Sequence, residues 1–181
     1  EPDPGAVERT RRELAPNGER VLLGVLRLSE EKRPELFVEV ARRVLAADAR
    51  ARAVLVGDGP LAAEIAALAR PLGPRCVLLG RRDDVPELMA AARVTLLCSR
   101  MEGTPNALIE SQWLGTPVVS TAVGGAVDAV DDGASGFLCT RDDAAALAAR
   151  CGEILGDEAL HARLSARARE FARERFALAR M

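Results

Sequence analysis

Short apolar runs rich in β-branched residues alternate along the whole chain with longer segments whose apolar residues recur at helical spacing. The run VLLGVL at 21–26 opens the series, and the segment 32–47 that follows carries Leu36, Val40 and Val44 four residues apart. This alternation is typical of βαβ units, in which helices cover both faces of a parallel sheet. The sequence therefore predicts an α/β fold with a Rossmann-like, doubly wound parallel sheet of about six strands.

The same alternation predicts the remaining strands and helices, and the length and composition of the chain predict one domain. With 181 residues, 49% of them hydrophobic, the chain can bury the core of a single domain, which we expect over residues 17–181. Residues 1–16 are expected to form a linker and short helix that lead into it. Further strands are expected at 51–57, 75–80, 94–99, 117–121 and 136–140, and further helices at 60–70, 84–92, 105–115, 142–155 and 157–175.

Composition excludes several classes of partner. The net charge is −2, with 25 basic and 27 acidic residues interspersed, so no basic stripe is available to neutralise a nucleic-acid backbone. Aromatic residues make up 3% of the chain and include no Tyr, which leaves little for base stacking. No apolar run approaches the roughly 20 residues of a membrane-spanning helix. We expect a cytoplasmic protein that binds no nucleic acid and has no transmembrane segment.

The residues that commonly bind metals are scattered. The four cysteines are too far apart for a CxxC pair, and His161, the only histidine, has no Cys or His close to it in sequence. A DxD carboxylate pair, which often chelates a divalent cation, is absent from the sequence. The sequence predicts no metal site and no cofactor, and the cysteines are expected to behave as small buried hydrophobes.

The strand-to-helix loops are the segments in which to look for a binding site, because ligands of such sheets lie outside the carboxyl ends of the strands. The dehydrogenase fingerprint GxGxxG is missing after the first strand, where the loop reads RLSEEK, and there is no Walker lysine loop. A phosphate would therefore have to be held by other means. The loops to inspect are 27–32, 57–60, 80–85, 99–106 and 121–125.

The loop after the fourth strand has the features of an anion site. Gly103 and Thr104 turn the chain into a helix, and Pro105 suits the first helical position, where no N–H is needed. The first helical N–H groups and the positive end of the helix dipole would face a phosphate. The expected amide donors are those of Asn106, Ala107 and Leu108.

Two carboxylates flank this predicted anion site. Glu102 precedes the turn, and Glu110 lies on the helix one turn beyond Asn106, on the same face. Carboxylates accept hydrogen bonds from hydroxyls, so a ligand with a phosphate centre and a sugar at each end would fit between them. A nucleotide sugar has this layout.

The segment Glu102–Glu110 resembles the E-x7-E motif of family 4 glycosyltransferases, retaining enzymes with the two-domain GT-B fold. LRLSEEKRPELFVEVA is similar to the first strand, loop and helix of that family, in which an arginine and a lysine five residues later bind the donor diphosphate. Arg27 and Lys32 stand at those positions, and Lys32 is the only lysine of the chain. The similarity extends over roughly residues 20–175. One departure is GVLRL, where the family often has a glycine directly before the arginine.

The resemblance implies a role for each matching residue. Glu102 would contact hydroxyls of the transferred hexose, Glu110 the ribose, and residues 103–108 would supply amides to sugar and phosphate. Arg82 and Val85 would lie beside the base. We assign the catalytic roles to Glu102, Arg27 and Lys32, and the donor-binding roles to Gly103, Thr104, Pro105, Asn106, Ala107, Leu108, Glu110, Arg82 and Val85.

The implied function is that of the C-terminal, donor-binding domain of a retaining glycosyltransferase. It would transfer a hexosyl unit from a nucleotide diphosphate sugar, a UDP-sugar ahead of a GDP-sugar, to a glycan or lipid-linked hydroxyl acceptor held by an N-terminal domain missing from this chain. Alone, this domain would be inactive, and the full-length enzyme would be peripheral to the inner face of the membrane. The alternatives are a non-catalytic nucleotide-sugar-binding module and a sugar-nucleotide epimerase of similar fold. The chain is also expected to stop, at RERFALARM, where related enzymes continue into a helix that crosses back to the N-terminal domain.

Overall fold

The computed structural model describes residues 2–176 and contains one six-stranded sheet in the order β3-β2-β1-β4-β5-β6. Every neighbouring pair of strands is parallel. The strand order reverses between β1 and β4, which is where doubly wound sheets open a crevice for a ligand. The predicted fold class is confirmed. The strands are β1 Arg20–Val25, β2 Ala51–Val56, β3 Cys76–Gly80, β4 Val94–Leu97, β5 Val118–Thr121 and β6 Gly136–Cys139.

The helices follow the strands in the predicted order. A one-turn helix after β5, α6, is too short to leave a periodic pattern, and the sequence did not predict it. A 3-10 segment, Arg70–Arg75, extends α3. The α-helices are α1 Pro4–Leu14, α2 Pro34–Ala47, α3 Ala62–Ala69, α4 Val85–Ala91, α5 Asn106–Trp113, α6 Ala126–Ala129, α7 Ala144–Gly156 and α8 Glu158–Phe176.

The two faces of the sheet bury separate hydrophobic clusters. On β1, Leu22 belongs to the cluster that contains residues of α2 and α7, such as Phe37. Val21 and Leu23 belong to the cluster on the other face, which contains Leu88 of α4. Successive side chains of a strand point to opposite faces, so a strand must be apolar throughout when both faces are covered. This explains why the strand sequences read as continuous apolar runs.

The helix α2 begins two residues later than the sequence predicted. Arg33 has a φ of 53° and lies in the left-handed region, and Pro34 is the first helical residue. A residue that precedes proline is disfavoured in the α region, because the proline ring clashes with its backbone and Cβ. The Arg33 guanidinium forms an ion pair with Asp142, which also has a positive φ. The loop that contains Lys32 is therefore separated from the helix by this bend.

The helix α1 packs on the domain that follows it. Leu14 is 3% exposed and lies in the cluster with Leu88, and the Glu13 carboxylate accepts a hydrogen bond of 2.9 Å from Arg82. The division into a leading segment 1–16 and a domain 17–181 remains a prediction. The expectation for the end of the chain concerns residues 177–181, which lie outside the described residues.

Candidate functional site at the carboxyl edge of the sheet

A cavity of about 470 Å³ lies where β1 and β4 end side by side, and it is lined by residues 30–32 and 100–103. The loop after β1 contributes Lys32, and the loop after β4 contributes Glu102 and Gly103. The structure thus brings together three of the predicted site residues although they are far apart in sequence. The cavity lies at the reversal of strand order, as the fold requires of a ligand site.

Glu102 is the most enclosed polar group of this cavity, with 5% of its side chain exposed. Its Oε1 atom accepts two hydrogen bonds, one from the Lys32 ammonium at 2.7 Å and one from the Ser99 hydroxyl at 2.5 Å. A buried carboxylate is costly unless it is paired and hydrogen-bonded, and these contacts supply both requirements. Lys32 is 28% exposed and also lines the cavity, so it is more accessible to a ligand there than the carboxylate that it pairs with.

The backbone of Glu102 is held by the loop after β5. The Gly125 N–H donates to the Glu102 carbonyl at 2.9 Å. A Cβ on Gly124 would collide with that carbonyl oxygen, and a Cβ on Gly125 would collide with the carbonyl oxygen of Gly103. Only glycine at these two positions lets the loops pack this closely. The loop 121–125 was among the predicted binding loops, but no role was predicted for its two glycines, although a Gly-Gly pair three residues after a predicted strand is a visible signal.

The start of α5 differs in detail from the prediction. Pro105 is the residue before the helix, and Asn106 is its first residue. The Asn106 N–H donates to the Thr104 carbonyl at 3.0 Å, and the Leu108 N–H donates to the Pro105 carbonyl at 2.9 Å. These two amides, which were expected to bind phosphate, are therefore already engaged. Among the described residues, the N–H groups of Gly103, Thr104 and Ala107 have no hydrogen-bond acceptor, so the available donors lie mostly in the turn before the helix.

The loop after β1 carries three charged residues of interest, Arg27, Glu31 and Lys32. Arg27 is exposed at the end of β1. The Ser29 hydroxyl donates to Glu31 at 2.7 Å, and this hydrogen bond is the main reason that the pKa of Glu31 lies below its ordinary value. The positive charges of Arg27 and Lys32 lower that pKa further. Glu31 and Lys32 of this loop line the cavity, whereas Arg27 is not among its lining residues.

The remaining predicted site residues lie outside the cavity lining. Glu110 is exposed on α5, eight residues beyond Glu102. Arg82 donates two hydrogen bonds of 2.7 Å to Asp84 as well as its bond to Glu13, and these carboxylates raise the pKa of its guanidinium. Val85 is half-buried at the start of α4. Their roles beside ribose and base stay predictions.

A larger cavity of about 950 Å³ opens at the opposite, amino edge of the sheet and contains none of the predicted site residues. Several of its arginines are engaged with carbonyl groups at helix ends. Arg169 donates to the Leu114 carbonyl at 2.9 Å, and Arg93 donates to the Ile154 carbonyl at 3.2 Å. Cations are favourable at helix carboxyl termini, which in this fold lie at the amino edge. These arginines therefore serve the fold, and the smaller cavity is the better candidate for chemistry.

Cysteines and other metal-binding side chains do not form a second site in the described part of the chain. Within residues 2–176, no three His, Cys, Asp or Glu side chains are grouped closely enough to bind a metal ion. All four cysteines are free, and burial raises the pKa of Cys76 to about 11, which keeps its thiol neutral. None of the helices within these residues is both long and apolar enough to cross a membrane.

The strand order and the polar cavity at its reversal point place the chain among Rossmann-like domains that carry a site at the carboxyl edge of the sheet. The family model of glycosyl transferases group 1 matches residues 7–171, and the chain belongs to this family. The resemblance to family 4 glycosyltransferases is therefore confirmed.

Two curated relatives illustrate the similarity. The N-acetyl-alpha-D-glucosaminyl L-malate synthase of Bacillus anthracis is 32% identical over 160 residues, which are 87% of this chain and 42% of the relative. An alpha-1,4-N-acetyl-D-galactosaminyltransferase of Campylobacter jejuni, named for a diNAcBac-PP-undecaprenol-linked substrate, is 34% identical over 77% of this chain and 40% of its own length. The chain thus spans about two fifths of these relatives.

Solved structures agree on the architecture. Anabaena HepE, solved in complex with UDP and glucose, matches with a TM-score of 0.87 and 27% identity over 97% of this chain and 49% of HepE. A structure of HepE with UDP-glucose matches with a TM-score of 0.86. The chain therefore corresponds in fold to about half of such a protein.

Proposed function

We propose that this chain is the donor-binding domain of a retaining glycosyltransferase, which transfers a sugar from a nucleotide diphosphate sugar to a hydroxyl acceptor. The observation that carries the proposal is the cavity at the β1–β4 junction, where a lysine and a buried carboxylate are paired at 2.7 Å beside unengaged amides. Cations and N–H donors can bind a diphosphate, and a fixed carboxylate can accept hydrogen bonds from the hydroxyls of a sugar. Both kinds of group are found within one cavity.

The proposed chemistry is charge stabilisation of a leaving diphosphate. As the bond between the sugar and the diphosphate breaks, negative charge accumulates on the phosphate oxygens. Lys32, Arg27 and the amides of the turn after β4 would stabilise that charge, which lowers the barrier. We propose that this arrangement operates without a metal ion. Glu102 would orient the sugar through its hydroxyls.

The donor is proposed to be a UDP-sugar. UDP or UDP-glucose occupies the HepE structures, and HepE has the same fold over nearly this whole chain. The names of the Bacillus and Campylobacter relatives both contain an N-acetylhexosamine, so UDP-GlcNAc and UDP-GalNAc are the first sugar nucleotides to test. An acceptor of glycan or lipid-linked type, bound by a further domain, is part of the same proposal.

The proposal is tested by calorimetric titration of the chain with UDP, GDP and their sugar conjugates, in the presence of EDTA. We expect saturable binding of UDP and a loss of affinity of roughly tenfold for Glu110→Ala, the size of effect expected when a hydrogen bond to a charged group is removed. The matched control is Glu153→Ala, which removes an exposed glutamate at the far end of α7. Failure of the unaltered chain to bind any nucleotide at millimolar concentration would contradict the proposal, as would equal effects of the two variants.

A further inference from the structure

The two hydrogen bonds that hold Glu102 come from donors of very different exposure. Lys32 is 28% exposed and borders the cavity, whereas Ser99 is completely buried. Both donate to the same oxygen, Oε1. Among the described residues, none donates to Oε2, which leaves this oxygen as the one available to a ligand hydroxyl.

An anionic ligand in the cavity would compete with Glu102 for Lys32. The ammonium has three donors on a flexible chain, and a diphosphate carries more negative charge than one carboxylate. If Lys32 turns toward a phosphate, its hydrogen bond to Oε1 is weakened or lost. Ser99 cannot make such a change, because it is completely buried and is not among the residues that line the cavity.

Ser99 is itself fixed by the neighbouring strand. The Thr121 hydroxyl at the end of β5 donates to the Ser99 carbonyl at 2.7 Å, and Thr121 is also completely buried. This contact holds the backbone of Ser99, which follows β4, against the end of the neighbouring strand β5. Because Ser99 is buried and its backbone is held, little conformational entropy is lost when it keeps its hydrogen bond to Glu102.

We propose that Ser99 is a positioning residue for Glu102: it holds Oε1 when Lys32 turns to an anionic ligand, so that Oε2 stays directed at the sugar of the donor. This inference rests on the proposed function for the identity of the ligand. The hydrogen bond from Ser99 to Glu102 is present in the free protein, so its ability to hold Glu102 without Lys32 can be tested without a nucleotide.

The first test replaces Lys32 by methionine to imitate its departure and compares crystal structures. In Lys32→Met, the Glu102 carboxylate is expected to keep its place against Ser99. In the double variant Lys32→Met/Ser99→Ala it is expected to leave that position, and in the control Lys32→Met/Ser120→Ala it is expected to stay. Ser120 is a matched control because it is equally buried and its hydroxyl donates to a backbone carbonyl at 3.1 Å. An unmoved Glu102 in the Ser99 double variant would overturn the proposal, and so would a displaced Glu102 in Lys32→Met alone.

A second test uses single variants, so it does not depend on the folding of the double variant. The ratio of the affinity for UDP-sugar to the affinity for UDP is measured by calorimetry for the unaltered chain, Ser99→Ala and Ser120→Ala. Loss of a charge-assisted hydrogen bond predicts a fall of this ratio by roughly tenfold in Ser99→Ala, with the affinity for UDP unchanged. A general loss of structure would lower both affinities together. An unchanged ratio in Ser99→Ala would overturn the inference, whereas absence of all nucleotide binding in the unaltered chain would count against the proposed function and leave the crystallographic test to decide on Ser99.

Discussion

Replacement of Gly125 by alanine probes the contact between two loops that fixes the backbone of the candidate site. Gly125 has φ −64° and ψ −10°, a conformation that alanine adopts without strain, so any effect must come from the added methyl group. That Cβ would overlap the carbonyl oxygen of Gly103 and would lie 3.0 Å from its carbonyl carbon. These atoms belong to the backbone, so no side-chain rotation can relieve the overlap.

The expected cost follows from two effects. Insertion of a methyl group into a packed region costs about 1–3 kcal/mol. Separation of the loops also stretches the 2.9 Å hydrogen bond from the Gly125 N–H to the Glu102 carbonyl, and a typical hydrogen bond contributes about 0.5–1.5 kcal/mol. We expect Gly125→Ala to lower the free energy of unfolding by about 2–4 kcal/mol, and to displace Glu102 and so weaken binding of UDP-sugar.

Urea denaturation followed by circular dichroism measures the stability, and calorimetry measures the binding. The matched control is Gly152→Ala in α7, where an added Cβ meets no atom within 4 Å other than those of its own helix backbone and chain neighbours. Alanine is the better helix former by roughly 0.5–1 kcal/mol, so this control should be stabilised. The reasoning would be refuted if Gly125→Ala unfolded at the same urea concentration as the unaltered chain and bound the donor equally well.

Two further predictions concern parts of the fold away from the cavity. Asp143→Ala removes the carboxylate that accepts the Ala146 N–H at 2.8 Å at the start of α7, and it should cost about 1 kcal/mol in urea denaturation. Burial is the main cause that lowers the pKa of His161 below its ordinary value of 6.5, so the unfolded chain takes up a proton first as the pH falls. The free energy of unfolding should therefore decline as the pH falls from about 7 to the lower pKa of the folded state. The variant His161→Gln should lack this part of the decline. An identical pH dependence in the variant would argue against this explanation.

The order of strands and helices could be predicted from the sequence because the two periodicities differ sharply in this chain. Strands buried on both faces, such as β1 with Leu22 on one side and Leu23 on the other, leave uninterrupted apolar runs. The boundaries were harder to predict. The start of α2 depended on the left-handed conformation of Arg33 before Pro34, and that conformation is accompanied by an ion pair to Asp142, more than one hundred residues away.

The candidate site was predictable only in part. The proximity of Lys32 to the motif glutamate could be expected, because loops that follow adjacent parallel strands meet at one edge of the sheet. Ser99 and Thr121 could not be identified in the same way, because serine and threonine are common in such loops and nothing in their spacing marks one as a donor to Glu102. The hydrogen bonds that the Asn106 and Leu108 amides donate to nearby backbone carbonyls could not be predicted either, because they depend on how tightly the turn before α5 closes.

The geometry of the site therefore depends on loops that the E-x7-E motif does not contain. The oxygen Oε1 of Glu102 is held by a lysine 70 positions earlier, and the backbone of Glu102 is held by a glycine of the loop after β5. These contacts exist because β4 lies between β1 and β5 in the sheet. A variant with an intact motif but a bulkier loop after β5 would keep both glutamates and lose their arrangement. For this reason, an intact motif does not by itself suffice to form the proposed donor site.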